Sequence, residues 1–373
     1  MKAFKIVTKI EEYDTFADFA KEAALGPKDL ILTNEYIYNP VISSLDLGCQ
    51  TLFQEKYGLG EPTDVMIEAI LDALKDAEYD RIIAVGGGTI IDIAKAMSVA
   101  GKGDTVDDLY DQKDNLTNTH SLTIVPTTCG TGSEVTNVSV INRTKKGVKM
   151  GLVAPQLYAE TAALIAGMLD TLPYGVFATS SIDAMIHAVE SFLSPNACGH
   201  SELFSERALS IIVKCWMASV KDGGKDAWKK YAPEFLRASN FAGIAFGYAG
   251  CAAVHATSYP LGGVYHIPHG QANQLMFASV MKKYKEMKPV GKINALEEIL
   301  ARDLGADPAE ALPALYALMD QILKCTPLRE NKVKEEDLAV FAKNVIETQQ
   351  RLLNNNYIPL TEEDILDIYQ RAF

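Results

Sequence analysis

Asp183 and His187 stand four residues apart in Ser181-Ile-Asp-Ala-Met-Ile-His-Ala-Val-Glu190, and His255 and His269 follow in a Gly-rich stretch downstream. A helix brings positions i and i+4 to one face, so the first pair can chelate one ion without loop closure, while the second pair must arrive from another element. One carboxylate oxygen and three imidazole nitrogens suit Fe(II) or Zn(II) better than Ca(II) or Mg(II). An Asp-x-x-x-His pair is also ordinary ion-pair chemistry of a helix surface. The distribution of histidine favours the ligand reading. The chain has six His in 373 residues, and four of them, His187, His255, His266 and His269, lie within or beside these two segments.

A second kind of chemistry is suggested upstream. Arg81-Ile-Ile-Ala-Val-Gly-Gly-Gly-Thr-Ile-Ile-Asp-Ile-Ala-Lys95 reads as a buried strand, three glycines and a helix. Glycines at such a turn let backbone N–H groups approach an anion, and the helix N-terminus adds positive potential, so a pyrophosphate fits there. The spacing is not G-x-G-x-x-G, and a purely structural Gly-rich turn reads the segment equally well. Leu122-Thr-Ile-Val-Pro-Thr-Thr-Cys-Gly-Thr-Gly-Ser-Glu-Val135 places a second polar loop after a second apolar strand. Open α/β sheets bind ligands at the carboxyl ends of their strands, so two Gly/Thr loops at one edge favour a cofactor.

These loops need a parallel sheet to hold them. Candidate strands are Phe4 to Thr8, Asp29 to Thr33, Thr51 to Gln54, Arg81 to Val85 and Ser121 to Val125, alternating with helical patterns near Ala17 to Ala24, Val65 to Asp76 and Ile90 to Ala100. Such alternation argues for a parallel sheet covered by helices, with further strands between Val135 and Leu164. From Pro173 the pattern turns helical: Val176 to Phe192, Glu202 to Val220, Tyr231 to Tyr259, Gln271 to Tyr284, Ile293 to Leu304, Ala309 to Leu323, Glu335 to Leu353 and Thr361 to Tyr369. The expected organisation is therefore an α/β, Rossmann-like dinucleotide-binding domain over 1–172 and an all-helical metal-binding domain over 173–373.

Composition bounds the partners. Hydrophobic residues make up 48% and charged residues 22%, as in an ordinary globular protein. A net charge of −13 without a compensating Lys/Arg block argues against nucleic acid. The six cysteines lack a C-x-x-C pair and read as reduced thiols. The opening Met-Lys-Ala-Phe-Lys-Ile-Val has no long apolar stretch and no run reaches transmembrane length, so no membrane association and a cytoplasmic location are expected.

The residues resemble a known family, the iron-dependent (group III) alcohol dehydrogenases. The resemblance covers nearly the whole chain. It rests on Gly86-Gly-Gly-Thr-Ile-Ile-Asp-Ile-Ala-Lys95, Pro126-Thr-Thr-Cys-Gly-Thr-Gly-Ser-Glu134, Asp183-Ala-Met-Ile-His-Ala-Val-Glu190 and Ala242 to His255 through Pro268-His-Gly270. It implies a dehydroquinate synthase-like architecture, with Asp183, His187, His255 and His269 as ligands of Fe(II), Zn(II) being the alternative. Gly87, Gly88 and Thr89 would hold the cofactor pyrophosphate. Thr127, Thr128, Thr131 and Lys149 match positions at the nicotinamide half and its ribose, and Phe246 matches an aromatic position of the substrate pocket. Phe246 on an apolar helix reads equally as core, and Thr128 as a loop hydroxyl.

Three positions depart from the family. Where a second His often follows the third ligand, this chain has Tyr259, so a proton relay falls to Tyr259 or to His266, which also reads as a solvent-facing loop residue. Where an Asp often receives the adenosine ribose, Asn34 is followed by Glu35, so NAD is expected and NADP is the alternative. Thr89 replaces the usual Ser and keeps its hydroxyl. The implied reaction is reversible hydride transfer between 4-hydroxybutyrate and NAD, giving succinate semialdehyde, in a homo-oligomer, in the first instance a dimer. Another short-chain alcohol or diol, and a metal- and NAD-dependent lyase of the same fold, are the alternatives. A carboxylate substrate wants a cation or several donors at the far end of its pocket, for which Arg143, Arg351 and Asn354 to Asn356 are candidates, each also readable as solvated surface.

Overall fold

The computed structural model describes residues 3–373, which form two compact units. One is Lys5–Leu172; the other is Pro173–Phe373, which Ala3 and Phe4 join. The first unit contains β1 (Lys9–Tyr13), α1 (Phe16–Glu22), β2 (Asp29–Thr33), α2 (Glu35–Val41), β3 (Gln50–Phe53), α3 (Asp64–Ala73), β4 (Arg81–Gly86), α4 (Gly88–Met97), α5 (Val106–Asp111), β5 (Ser121–Pro126), β6 (Val138–Arg143), β7 (Val148–Val153) and β8 (Thr161–Ile165). Six strands make one parallel sheet in the order β1-β8-β5-β4-β2-β3, and β6 pairs antiparallel with β7.

The central strands β2, β4 and β5 are buried on both faces, which is why they read as continuous apolar runs instead of alternating ones. Chain connections leave β2 and β4 in opposite directions, toward β3 and β5, so the crevice at their carboxyl ends is the topological switch point where open sheets take ligands. Gly86 is in register with Pro126, which starts both Gly/Thr loops side by side at that edge.

The expected strand Phe4 to Thr8 does not form; the edge strand is Lys9–Tyr13. Phe4 is drawn instead into a ring cluster with His200, Phe204 and Tyr248, at centroid distances of 5.5, 6.0 and 5.3 Å. The short helices α2 and α5 were not expected. Pro40 inside α2 masks its periodicity, and α5 is a six-residue helix held by a Thr105–Asp108 capping box.

The second unit is all helical: α6 (Tyr174–Leu193), α7 (Gly199–Asp222), α8 (Ala232–Ala249), α9 (Ala253–Tyr265), α10 (His269–Met287), α11 (Lys292–Leu304), α12 (Ala311–Ile322), α13 (Glu335–Thr348), α14 (Gln350–Leu353) and α15 (Glu362–Ala372). Helix α6 is the hub, buried at every position from Ser181 to Leu193, with α7, α8 and α10 packed on it. Two expected helices are broken. The pattern from Tyr231 to Tyr259 splits at Gly250, whose φ of 82° ends α8, and Glu335 to Leu353 splits into α13 and α14. All six cysteines are free. Among the described residues no helix is long and apolar enough to cross a membrane.

Candidate functional site

Helix α6 carries Asp183, His187 and Glu190, all buried on an element that is apolar almost all round. Polar groups in such a place require partners. The i, i+4 pair meets as the spacing implies, with His187 Nδ1 3.9 Å from Asp183 Oδ2. His255 arrives on α9 and His269 as the first residue of α10. Their Nε2 atoms lie 3.4 and 3.6 Å from Asp183 Oδ1. A Cβ on Gly270 would sit 2.0 Å from the Thr179 carbonyl oxygen, so the absent side chain is what lets the start of α10 close on α6 and deliver His269.

The donors fall into two overlapping sets, Asp183–His255–His269 and His187–Cys251–His255, each with ligand atoms within 4.8 Å of one another. The His187 and His255 rings stack at 4.6 Å, and Phe246 covers the other face of His187 at 4.2 Å. Phe246 is thus half-buried with its ring stacked on the His187 imidazole.

Two residues without a role in the sequence reading complete the site. Glu190 accepts from the Ala252 and Val254 N–H groups at 3.0 and 2.6 Å and bonds His255 Nδ1 at 2.6 Å. A neutral His255 that donates Nδ1–H to Glu190 would turn the lone pair of Nε2 toward the cluster, the tautomer a metal requires. Glu190 follows His187 by three positions on a buried helix, a signal that a charged residue needs a partner there. Asn273 is the other. Its Nδ2 approaches Asp183 Oδ1 at 2.8 Å, His255 Nε2 at 3.2 Å and His269 Nε2 at 3.3 Å, while its buried Oδ1 has no partner.

That convergence is a test of fit for a cation. One amide nitrogen here faces a carboxylate oxygen and two imidazole nitrogens at once, and this convergence of ligand-type atoms around one point is what a cation site requires. Burial disfavours a charged His255, yet Glu190 and Asp183 outweigh it and push its pKa up to about 9. Burial likewise opposes charge on Asp183, but His187, His269 and His255 hold its carboxyl far below the usual range. A buried anion ringed by imidazoles and a second carboxylate is the donor chemistry of a transition-metal site.

The proton-relay candidates separate. Tyr259 lies on α9 with its ring 6.1 Å from that of His269. His266 is the exposed left-handed C-cap of α9, φ 54°, and no contact of its ring with the cluster is seen among the described residues. Its chain role is to turn α9 into α10.

In the first unit, Gly87 caps α4 without any side-chain hydrogen bond, leaving the first N–H groups of the helix available. A Cβ on Gly87 would lie 3.1 Å from Thr128 Cγ2, and one on Gly88 3.0 Å from Thr131 Cγ2, so the two loops touch through these glycines. Thr127 is tied back to the Gly86 carbonyl by its N–H at 3.1 Å. The Thr89 hydroxyl donates to the Gly60 carbonyl, and Lys149 pairs with Glu61 at 2.6 Å.

Asp92 and Lys95, inside the first motif, hold the second loop in place. Buried Lys95 donates to Ser133 Oγ, Thr136 Oγ1 and the Val138 carbonyl at 2.8, 3.0 and 2.8 Å. Asp92 accepts from Ser133 Oγ and the Val140 N–H. Burial pushes the Lys95 pKa down and the Asp92 pKa up, each opposed by the charge of the other. A charge pair on an otherwise apolar helix face was the available signal.

Asn34, which follows β2 and precedes α2, is held by a carboxylate from farther along the chain than Glu35. Its Nδ2 donates to Glu55 Oε2 at 2.9 Å, and Glu55 Oε1 accepts the Glu35 N–H at 2.7 Å. Burial raises the Glu55 carboxyl, but these donors outweigh it and hold its pKa below the usual range, so the acid at this corner is Glu55. It was missed because it comes from the end of the neighbouring strand β3, 21 positions from Asn34.

Comparison with known proteins follows the two units. The profile described as iron-containing alcohol dehydrogenase matches residues 5–165, and that of the Fe-containing alcohol dehydrogenase family, C-terminal, matches 177–373. A 4-hydroxybutyrate dehydrogenase of Clostridium kluyveri is 46% identical over 373 residues, 100% of both chains. Two solved structures share the fold. A sulfoacetaldehyde reductase from Bifidobacterium kashiwanohense in complex with NAD+ has a TM-score of 0.85 at 21% identity, covering 100% of this chain and 98% of that one. An iron-containing alcohol dehydrogenase from Thermotoga maritima has 0.81 at 23%, covering 100% and 99%. With its α/β unit and its helical unit both matched and a relative alike from end to end, this chain belongs to the iron-containing alcohol dehydrogenase family.

Proposed function

We propose that the protein catalyses reversible, NAD-dependent oxidation of 4-hydroxybutyrate to succinate semialdehyde, with NAD on the first unit and a divalent ion, Fe(II) or Zn(II), on the helical unit. The observation that carries the substrate is the 46% identity across the full length of both chains with the Clostridium kluyveri enzyme. The reaction class has independent support in the clustering of Asp183, His187, His255 and His269, of which all but His269 are buried. The protein is expected to act as a cytoplasmic homodimer.

An alcohol surrenders hydride readily only after losing its hydroxyl proton, and an ion held by those four residues supplies the Lewis acidity that makes this loss feasible near neutral pH. Asp183 contributes the negative charge of the ligand set, and Glu190 keeps His255 in the ligating tautomer. Phe246 walls the site beside His187 and excludes water. Tyr259 carries the hydroxyl proton toward solvent; His266 is not assigned this step. When bound, NAD would supply the hydride acceptor; the N-terminus of α4 with Gly87, Gly88 and Thr89 would anchor its pyrophosphate, and Thr127, Thr128, Thr131 and Lys149 would orient its nicotinamide half.

The test is to add 4-hydroxybutyrate and NAD to anaerobically purified protein, follow NADH absorbance and determine the bound metal. Steady NADH formation, faster with 4-hydroxybutyrate than with 1-butanol or 1,3-propanediol, is the expected result. A preference for the uncharged alcohols rejects the hydroxy-acid substrate, and substrate loss without net NADH identifies a lyase.

Cofactor choice follows from Glu55. A carboxylate held ionised beside Asn34 repels a 2′-phosphate, so NAD is favoured over NADP. Glu55→Ser removes that repulsion. The ratio of kcat/KM for NADP to that for NAD should rise by about tenfold, the factor for roughly 1.4 kcal/mol, and an unchanged ratio would remove Glu55 from the cofactor site.

A further inference from the structure

Helix α10 brings a second polar group to the donor cluster besides His269. Asn273 follows His269 by four positions, so the two side chains lie on one face of that helix. The residue is a costly choice there. Asparagine is a poor former of helix interiors, and Asn273 is completely buried with its Oδ1 lacking a hydrogen-bond partner among the described residues. Natural sequences break local rules in this way chiefly where a site needs the residue.

Its nitrogen shows what the site gains. Asn273 Nδ2 lies 2.8 Å from Asp183 Oδ1, 3.2 Å from His255 Nε2 and 3.3 Å from His269 Nε2. The opposite amide orientation would set a carbonyl oxygen against the carboxylate and leave Asp183 without this donor, so the hydrogen-bond network assigns the nitrogen to the cluster side. Asp183 Oδ1 is also the oxygen that His255 Nε2 and His269 Nε2 approach, at 3.4 and 3.6 Å, while Oδ2 lies 3.9 Å from His187 Nδ1. One carboxylate therefore serves three imidazoles through its two oxygens, and its rotation about the Cβ–Cγ bond decides how they are shared. A hydrogen bond to Oδ1 from a helix other than its own fixes that rotation. A carboxylate oxygen has two lone pairs, so Oδ1 can accept from Asn273 and still offer one to an ion. An amide suits the task because it donates without carrying a charge; an ammonium or guanidinium in its place would repel the cation that the cluster is suited to hold.

We propose that Asn273 is a positioning residue of the metal site: its amide N–H orients the Asp183 carboxylate toward His255 and His269 and so sets the affinity for the ion. This rests on the reading of Asp183, His187, His255 and His269 as the ligand set. The role complements that of Glu190, which orients an imidazole from α9, whereas Asn273 orients the carboxylate from α10.

The experiment uses Asn273→Leu and Asn273→Ala, which both remove the donor but differ in the space they leave. Each protein is stripped of metal and its Zn(II) affinity is read by competition against a metallochromic chelator; the melting temperature of the stripped form and the visible spectrum of the Co(II)-loaded form are recorded beside it. Affinity should fall by about 10- to 100-fold in both variants, the usual size of an effect on a partner of a metal ligand. The loss should be alike in the two although Asn273→Ala leaves a cavity and melts lower, because it follows the donor and not the packing. The Co(II) spectrum should change in both, since it reports the arrangement of the ligands. Wild-type or tighter affinity in Asn273→Leu overturns the assignment. So does an affinity that tracks the melting temperature with an unchanged Co(II) spectrum, or failure of both variants to fold, each of which gives Asn273 to the structure of α10. Failure of the underlying reading shows instead in the wild type, as the absence of a stoichiometric Zn(II) or Co(II) site.

Discussion

His255→Ala should yield a folded protein that purifies without its metal and lacks turnover. His255 is the one residue common to both donor sets, so its loss breaks each of them, whereas loss of His269 would leave one set whole. Lewis-acid assistance is worth several kcal/mol of transition-state stabilisation, which at 1.36 kcal/mol per tenfold is a fall in kcat of about 10³ or more. Glu190 would still accept the Ala252 and Val254 N–H groups, so the turn before α9 keeps its anchor and the melting temperature in excess chelator should stay near that of the stripped wild type. Elemental analysis and single-turnover NADH formation read the two effects separately. Retention of a full equivalent of iron or zinc, with turnover intact, would defeat the ligand assignment.

Glu190→Gln is the second large effect, and it acts at one remove from the ion. The carboxylate accepts three donors, two backbone N–H groups and the His255 imidazole. A glutamine has a single acceptor oxygen, and its NH₂ must face a donor it cannot satisfy, in a position where the side chain is fully shielded from water. His255 then loses the partner that fixes its tautomer. Loss of such outer partners typically costs about 10- to 100-fold in metal affinity or activity. A competition titration against a metallochromic chelator should show weakening of that size, together with a lower melting temperature of the ion-free protein. Metal affinity equal to wild type would assign Glu190 to folding alone. Because the effect is on binding, raising the free metal concentration should restore much of the lost turnover, which His255→Ala cannot show.

The two variants separate what short-range pattern encodes from what packing encodes. The Asp183–His187 pair was legible because both residues sit on one helix and 3.6 residues per turn leaves no freedom in their relation. The same holds for β2, whose observed limits, Asp29–Thr33, equal those read from its apolar run. Legibility failed where an element's fate depends on a distant partner. Phe4 looks like a strand residue, yet rings more than 190 positions away capture it. The helix expected to run from Tyr231 to Tyr259 is interrupted because Gly250 must admit Asn355, and because Glu190 collects the N–H groups that a continuous helix would have used.

Site residues divide the same way. Asp92 and Lys95 lie inside a quoted motif, but nothing local says that they clamp the loop around Ser133 and Thr136. Glu55 was passed over because a carboxylate nearer in sequence, Glu35, stood next to Asn34, and it is strand pairing of β2 with β3 that brings Glu55 to the corner. His266 drew attention as a titratable residue in the right segment; that it also ends α9, with a left-handed φ of 54°, is visible only in the backbone.

What the linear chain determined by itself is the inventory and the chemistry: a hard oxygen and three imidazoles, two hydroxyl-rich glycine loops after apolar strands, and a net charge of −13. These are properties of residue type and of helix or strand period, which act over a few positions. Only the tertiary structure decided which groups meet, among them Glu190 on His255, Asn273 against Asp183, Cys251 beside His187 and His255, and α14 against the turn before α9. Those meetings are set by burial: once the Ser181–Leu193 stretch of α6 is enclosed, the charged and imidazole groups it carries must find partners on other helices, and no local pattern records which helices those are.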